Sequence, residues 1–104
     1  NQAVAVAKLG GEAYMVGCVG REFGSELTDA LKRYGVHADY VRTETDISSG
    51  IAVIVVAEGD NRIILDAGSN ARTDGELIDR ALAGARAGDY LLLQLEGCTP
   101  SDMP

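Results

Sequence analysis

Two cysteines, one histidine and nine basic residues are all that this 104-residue chain carries of the residue types that bind metals, act as triad bases or grip nucleic acid. Cys18 and Cys98 are too few and too far apart for a spacing such as C-x-x-C, and Cys18 sits in an apolar strand context where a buried thiol is common. His37 lies in a polar turn with no Cys or second His nearby, so a solvent-exposed reading is favoured over a ligand or triad role. The nine Lys and Arg are scattered against sixteen Asp and Glu, a net charge of −7 that disfavours nucleic-acid phosphates as partners. That acidity leaves a phosphorylated nucleotide open, because backbone N–H groups at a helix start can hold phosphate. No apolar run is long enough to span a bilayer, and no segment resembles a secretory signal, so a cytoplasmic location is expected. Internal repeats and low-complexity stretches are missing as well.

What is present reads as alternating helix and strand. Val4, Ala5, Lys8 and Leu9 have helical spacing, and Gly10-Gly11 is placed to stop that helix. A strand is expected at 12–19. Phe23, Leu27, Leu31 and Tyr34 then recur at intervals of four and three, which predicts an amphipathic helix ending at Gly35. A short strand follows at 38–43, and the alternation predicts an open α/β sheet of parallel strands flanked by helices.

The middle of the chain breaks the rhythm. Residues 51–57 are β-branched and almost continuously apolar, EGDN supplies a turn, and 62–67 return, which predicts a hairpin. Thr73-Asp-Gly-Glu76 matches a capping box, with Leu77, Ile78, Ala81, Leu82 and Ala85 as the apolar stripe of the next helix. Residues 89–95 read as a buried parallel strand with Glu96 at its carboxyl end. The tail after Gly97 reads as a cut end.

Asn1-Gln-Ala, Gly10 after six intervening residues and Gly20 after nine more form a spacing that resembles the first signature of the ribokinase-like (PfkB) carbohydrate kinases. YGVHADYV, SSGIAVIVV with NRIILDAGSNA, and LLLQLE follow in that family's order, so the resemblance covers nearly the whole chain. It implies a partial ribokinase-like fold: kinase core at 1–47, a protruding β-hairpin lid at 48–67 and a return to the core at 68–104. It also implies an internal slice of a longer enzyme, starting after the family's Gly-Gly-Lys-Gly-Ala loop and stopping after its substrate-binding Glu, with the catalytic base elsewhere.

On this resemblance Glu96 holds the sugar, its carboxylate accepting from two hydroxyls beyond the strand ends where open sheets bind ligands. Read from position alone, Glu96 is a surface residue capping the next helix. Asn1 is the second sugar ligand, its amide offering donor and acceptor, and it also suits a plain helix N-cap; both roles can hold at once. Ala52 and Ile54, with Ile63 and Leu65 on the return strand, would cover the sugar and exclude water, or serve as sheet core. Gly68-Ser69-Asn70-Ala71 suits a left-handed turn acting as a hinge. The loop from Gly20 to Phe23 is one residue shorter than the family pattern, and Glu22 stands near the place of its usual Asp.

The activity implied is phosphorylation of a sugar by ATP with Mg2+, at the 5-hydroxyl of ribose, with a monovalent cation as a further candidate and a homodimer formed through the lid strands. Fructose, a keto-deoxy sugar acid or a nucleoside are the neighbouring substrates. A non-catalytic kinase-like segment that associates through exposed hairpin strands is the reading from a different class.

Overall fold

The computed structural model describes residues 1–94 of the chain. Helix α1 spans Gln2–Lys8, strand β1 Tyr14–Val19, helix α2 Gly24–Arg33 and strand β2 His37–Thr43. Strands β3, Ile51–Ala57, and β4, Asp60–Asp66, come next, then a 3-10 turn over Gly68–Arg72 and helix α3, Gly75–Leu82. None of the described helices is long and apolar enough to cross a membrane.

The first two helices end by one mechanism. Gly10 takes φ +89° and donates to the Ala7 carbonyl, while Gly11 donates to Val6. Gly35 takes φ +82° and donates to Lys32, while Val36 donates to Leu31. In each case two carbonyls of the last turn are satisfied by a Schellman motif, whose left-handed residue favours glycine. Val36, 2% exposed, is thereby driven into the core at the start of β2. The Lys8 ammonium lies 4.9 Å from the Tyr34 ring centre, a cation–π contact between the ends of α1 and α2.

Strands β1 and β2 pair in parallel, with Val16 opposite Tyr40 and Val19 opposite Thr43 and an irregularity in register after Tyr14. Helices α2 and α3 both pack on this pair, and Ala13, Cys18, Val19, Val36 and Leu77 form the buried apolar core among the described residues. The chain exposes 7816 Å2. A compact monomer of this length exposes about 5,600 Å2, so much of the apolar surface is left uncovered, as in a partial α/β fold.

Strands β3 and β4 form their own antiparallel sheet. Its connection is a two-residue turn at Glu58-Gly59, both with positive φ, 53° and 76°, the type I′ geometry that matches strand twist. Asp60 and Asn61, read above as turn, belong to β4. Every residue of both strands is exposed, so neither face is sheet core among the described residues.

Three expectations need correction. Asp89–Gln94 form no strand and join neither sheet; a parallel strand exists only through hydrogen bonds to a neighbour, and Tyr90 to Leu93 have none, lying 48–99% exposed. The cap of α3 is Asp74 rather than Thr73: the Asp74 carboxylate accepts from the Leu77 N–H at 3.0 Å, and the shorter frame holds because Gly75 is already helical. Phe23 is not part of the α2 stripe but its N-cap, held left-handed at φ 61° with 60% of its surface exposed.

Candidate functional site

Extended backbone points the N–H and C=O of alternate residues to opposite edges. On β1, the carbonyls of Ala13 and Val19 face β2, accepting from His37 and Glu44 at 2.9 and 2.8 Å. Cys18 O and Gly20 N therefore face the other edge. Each is met there by a serine hydroxyl: Ser69 Oγ donates to Cys18 O at 3.0 Å, and Gly20 N donates to Ser49 Oγ at 2.8 Å. Ser49 lies on the leg of chain entering the hairpin and Ser69 on the leg leaving it. Ser69 N donates in turn to Ser48 O at 2.8 Å, tying the legs together. Both serines are buried, at 3% and 0% exposure, and no buried side-chain polar atom among the described residues lacks a partner.

Glycine is obligatory at this root. A Cβ on Gly20 would run into the backbone of Ile47, Ser48 and Ser49, and one on Gly68, at φ +49°, would lie 2.6 Å from Ser48 O. A Cβ on Gly50 would strike the Asn70 amide nitrogen. The segment Gly68-Ser69-Asn70-Ala71 is thus a tightly packed 3-10 turn. The sequence signals were the Ser48-Ser49-Gly50 and Gly68-Ser69 runs flanking the two apolar strands, small residues that allow close backbone approach.

The six expected sugar-site residues fall as follows. Ala52 stands opposite Leu65 and Ile54 opposite Ile63, so the register gathers all four on one face of the hairpin. Asn1 is the N-cap residue of α1; its carbonyl accepts from Ala5 N at 2.9 Å, its side chain makes no capping bond, and it is exposed. Glu96 lies outside the described residues.

A charged network that sequence reasoning missed brackets the root. Arg42 on β2 grips both Asp74 oxygens at 3.2 and 3.3 Å, contacts Glu44 at 2.9 Å and donates to Arg72 O at 2.6 Å. Arg72, at the end of the 3-10 turn, holds both Asp46 oxygens at 3.3 and 3.1 Å. The bond from Arg42 keeps the Asp74 carboxyl below its ordinary range, helped by the Leu77 N–H, and the bond from Arg72 does the same for Asp46. Asp46 and Arg72 thus join the strand-side approach to the hairpin with its return. In the short loop after Gly20, Glu22 is paired with Arg21 at 2.8 Å, which lowers the Glu22 carboxyl as well. His37 opens β2, exposed, stacked on Tyr14 with ring centres 4.4 Å apart.

Among the described residues, no group of three or more His, Cys, Asp or Glu could hold a metal ion. The acidic residues that do converge, Glu44, Asp46 and Asp74, are occupied by Arg42 and Arg72. These residues do not fit a magnesium or monovalent-cation site.

The family model described as "pfkB family carbohydrate kinase" matches residues 1–104. A ribokinase of Bacillus subtilis is 41% identical over 97 residues, covering 92% of this chain and 33% of the relative. The structure of Arabidopsis thaliana ribokinase complexed with ribose and ATP superposes with a TM-score of 0.60 at 38% identity, over 66% of this chain and 23% of that one. A Burkholderia thailandensis nucleoside kinase in complex with inosine gives 0.62 at 26% identity, over 68% of this chain and 24% of that one. The chain spans about a third of the length of the curated relatives it matches. With the family match running from Asn1 to Pro104, the chain belongs to the pfkB family of carbohydrate kinases.

Proposed function

We propose that this chain is the sugar-side portion of an ATP-dependent kinase that transfers the γ-phosphoryl group to the 5-hydroxyl of ribose. The observation that carries the reading is the hairpin register, which lines Ala52, Ile54, Ile63 and Leu65 along one exposed apolar face. The ribose assignment is supported by the 41% identity to the Bacillus subtilis ribokinase.

In this reading the hairpin face covers the sugar and keeps water from competing for the phosphoryl group. The Asn1 amide and the Glu96 carboxylate orient the sugar hydroxyls, one as donor and acceptor, the other as acceptor. The 5-oxygen attacks the γ-phosphorus, the bond to the bridging oxygen breaks, ADP leaves, and the hydroxyl proton passes to a base. That base, the donors around the transferring phosphate and the sites for magnesium and any monovalent cation are assigned to no residue of this chain. Positioning is the contribution made here, which in phosphoryl transfer is a large share of catalysis.

The opposite hairpin face, with Val53, Val55 and Ile64, is equally exposed and would pack on the hairpin of a second copy in a homodimer. A nucleoside as substrate is the second reading, favoured by the similarity to the nucleoside kinase in complex with inosine. The test is an ADP-release assay on the intact protein with ribose, deoxyribose, fructose and inosine as acceptors. Turnover with ribose at the highest kcat/KM supports the proposal; preference for inosine transfers it to nucleosides, and no turnover with any acceptor leaves the association reading.

A further inference from the structure

The two serines at the hairpin root occupy positions that a neighbouring strand would otherwise fill. Cys18 O and Gly20 N are successive outward-facing groups at the carboxyl end of β1, one needing a donor and the other an acceptor. Ser69 Oγ supplies the donor from the returning leg of the hairpin, Ser49 Oγ the acceptor from the outgoing leg, and Ser69 N to Ser48 O closes the circuit. Steric fit reinforces it, since Gly20, Gly50 and Gly68 leave no room for a Cβ against the opposing leg.

We propose that Ser49 and Ser69 are positioning residues that lock the hairpin root rigidly to the carboxyl end of β1, so that the covering face is held at that edge by buried bonds. The inference rests on reading the hairpin as the sugar cover. Ligands of an open α/β sheet sit beyond the strand ends, and the clasp ties the covering element to that edge through buried bonds rather than through a free pivot. Two peptide groups of β1 and both legs of the hairpin are then a single body. Among the described residues the ribbon beyond them is hydrogen-bonded through its own ladder, so the bonds that fix it to β1 are those of the root.

The test is amide hydrogen exchange on the intact protein, with and without ribose, together with steady-state kinetics of two variants. In the unsubstituted protein the Gly20 and Ser69 amides should exchange more slowly than the outward-facing amides of β3 and β4, with ribose or without it. Ser49→Ala should speed Gly20 exchange by about tenfold, the size expected for loss of one buried bond, and raise the sugar KM with little change in the ATP KM. Ser49→Thr, which keeps the hydroxyl, should restore both. Root amides exchanging as fast as those of the ribbon, or root protection appearing only with ribose, would overturn the proposal. So would a Ser49→Ala variant with unchanged Gly20 exchange, or a Ser49→Thr variant no better than Ser49→Ala. The exchange comparison needs no turnover, so a protein inactive on ribose would refute the substrate assignment while leaving the clasp measurable.

Discussion

Arg42 and Asp74, 32 positions apart in sequence, face each other with both carboxylate oxygens within 3.3 Å of the guanidinium, joining strand β2 to the first residue of helix α3's cap. The same carboxylate caps the helix through Leu77 N. One side chain thus serves two elements, and its ionised form is the one that does so.

Acid should act through this carboxylate. A carboxyl held below its unfolded value, near 3.9, stabilises the fold fully above that pH and loses the contribution as pH falls through the lower folded-state value. The Asp74 and Asp46 carboxyls are both lowered by arginine, so stability should fall below about pH 4. Asp74→Asn keeps a competent N-cap and removes the charge. Its urea midpoint should vary less between pH 5 and pH 3 than that of the unsubstituted protein, and an identical acid profile would remove the pair from the account.

Gly20→Ala tests the root sterically. Its methyl would fall on the backbone of Ser48 and Ser49, atoms that no rotamer change can move aside. The expected loss is about 3 kcal/mol, at the upper end for overpacking. Thermal denaturation showing a loss under about 0.5 kcal/mol, within ordinary surface variation, would mean that the legs are farther apart than described.

Phe23 offers the opposite sign. A bulky residue at φ 61° is strained, and its exposed ring gives up little packing when removed. Phe23→Gly should therefore gain about 1 kcal/mol in denaturant titration. A loss instead would show that the ring contributes packing that outweighs the strain.

At the hairpin tip, Glu58 takes φ 53° in a turn that prefers Asn followed by Gly. Glu58→Asn should slow exchange of the β3–β4 amides and Gly59→Ala, at φ 76°, should hasten it. Equal exchange in all three proteins would contradict the I′ turn.

Glycine chemistry made much of this fold legible. Gly10 and Gly35 marked helix ends because positive φ is costly elsewhere, and the apolar runs on either side of Glu58-Gly59 specified a hairpin through local pairing alone. The apolar run before Glu96 was read as a strand, yet a strand needs a neighbour that no local pattern can supply, and 89–94 have none. Asp74 was missed as the cap because Thr73 and Asp74 are both good caps and only the backbone decides between them. The Arg42 network and the serine clasp join residues up to 51 positions apart, so their chemistry was visible but their meeting was not. Period-two alternation placed Ala52, Ile54, Ile63 and Leu65 on one face of the hairpin, the face that the register gives them.

The distance in sequence between Cys18 and Ser69 bears on how the chain folds. The hairpin closes over two residues and can form in about 1–10 μs, whereas the clasp must bring together groups 51 positions apart and forms once that large loop is closed. A contact made after the rate-limiting step contributes to holding the native state rather than to reaching it. Removing the Ser69 hydroxyl should accordingly quicken unfolding in stopped-flow measurements and leave the refolding rate nearly unchanged, making the root a determinant of the protein's lifetime in its native form.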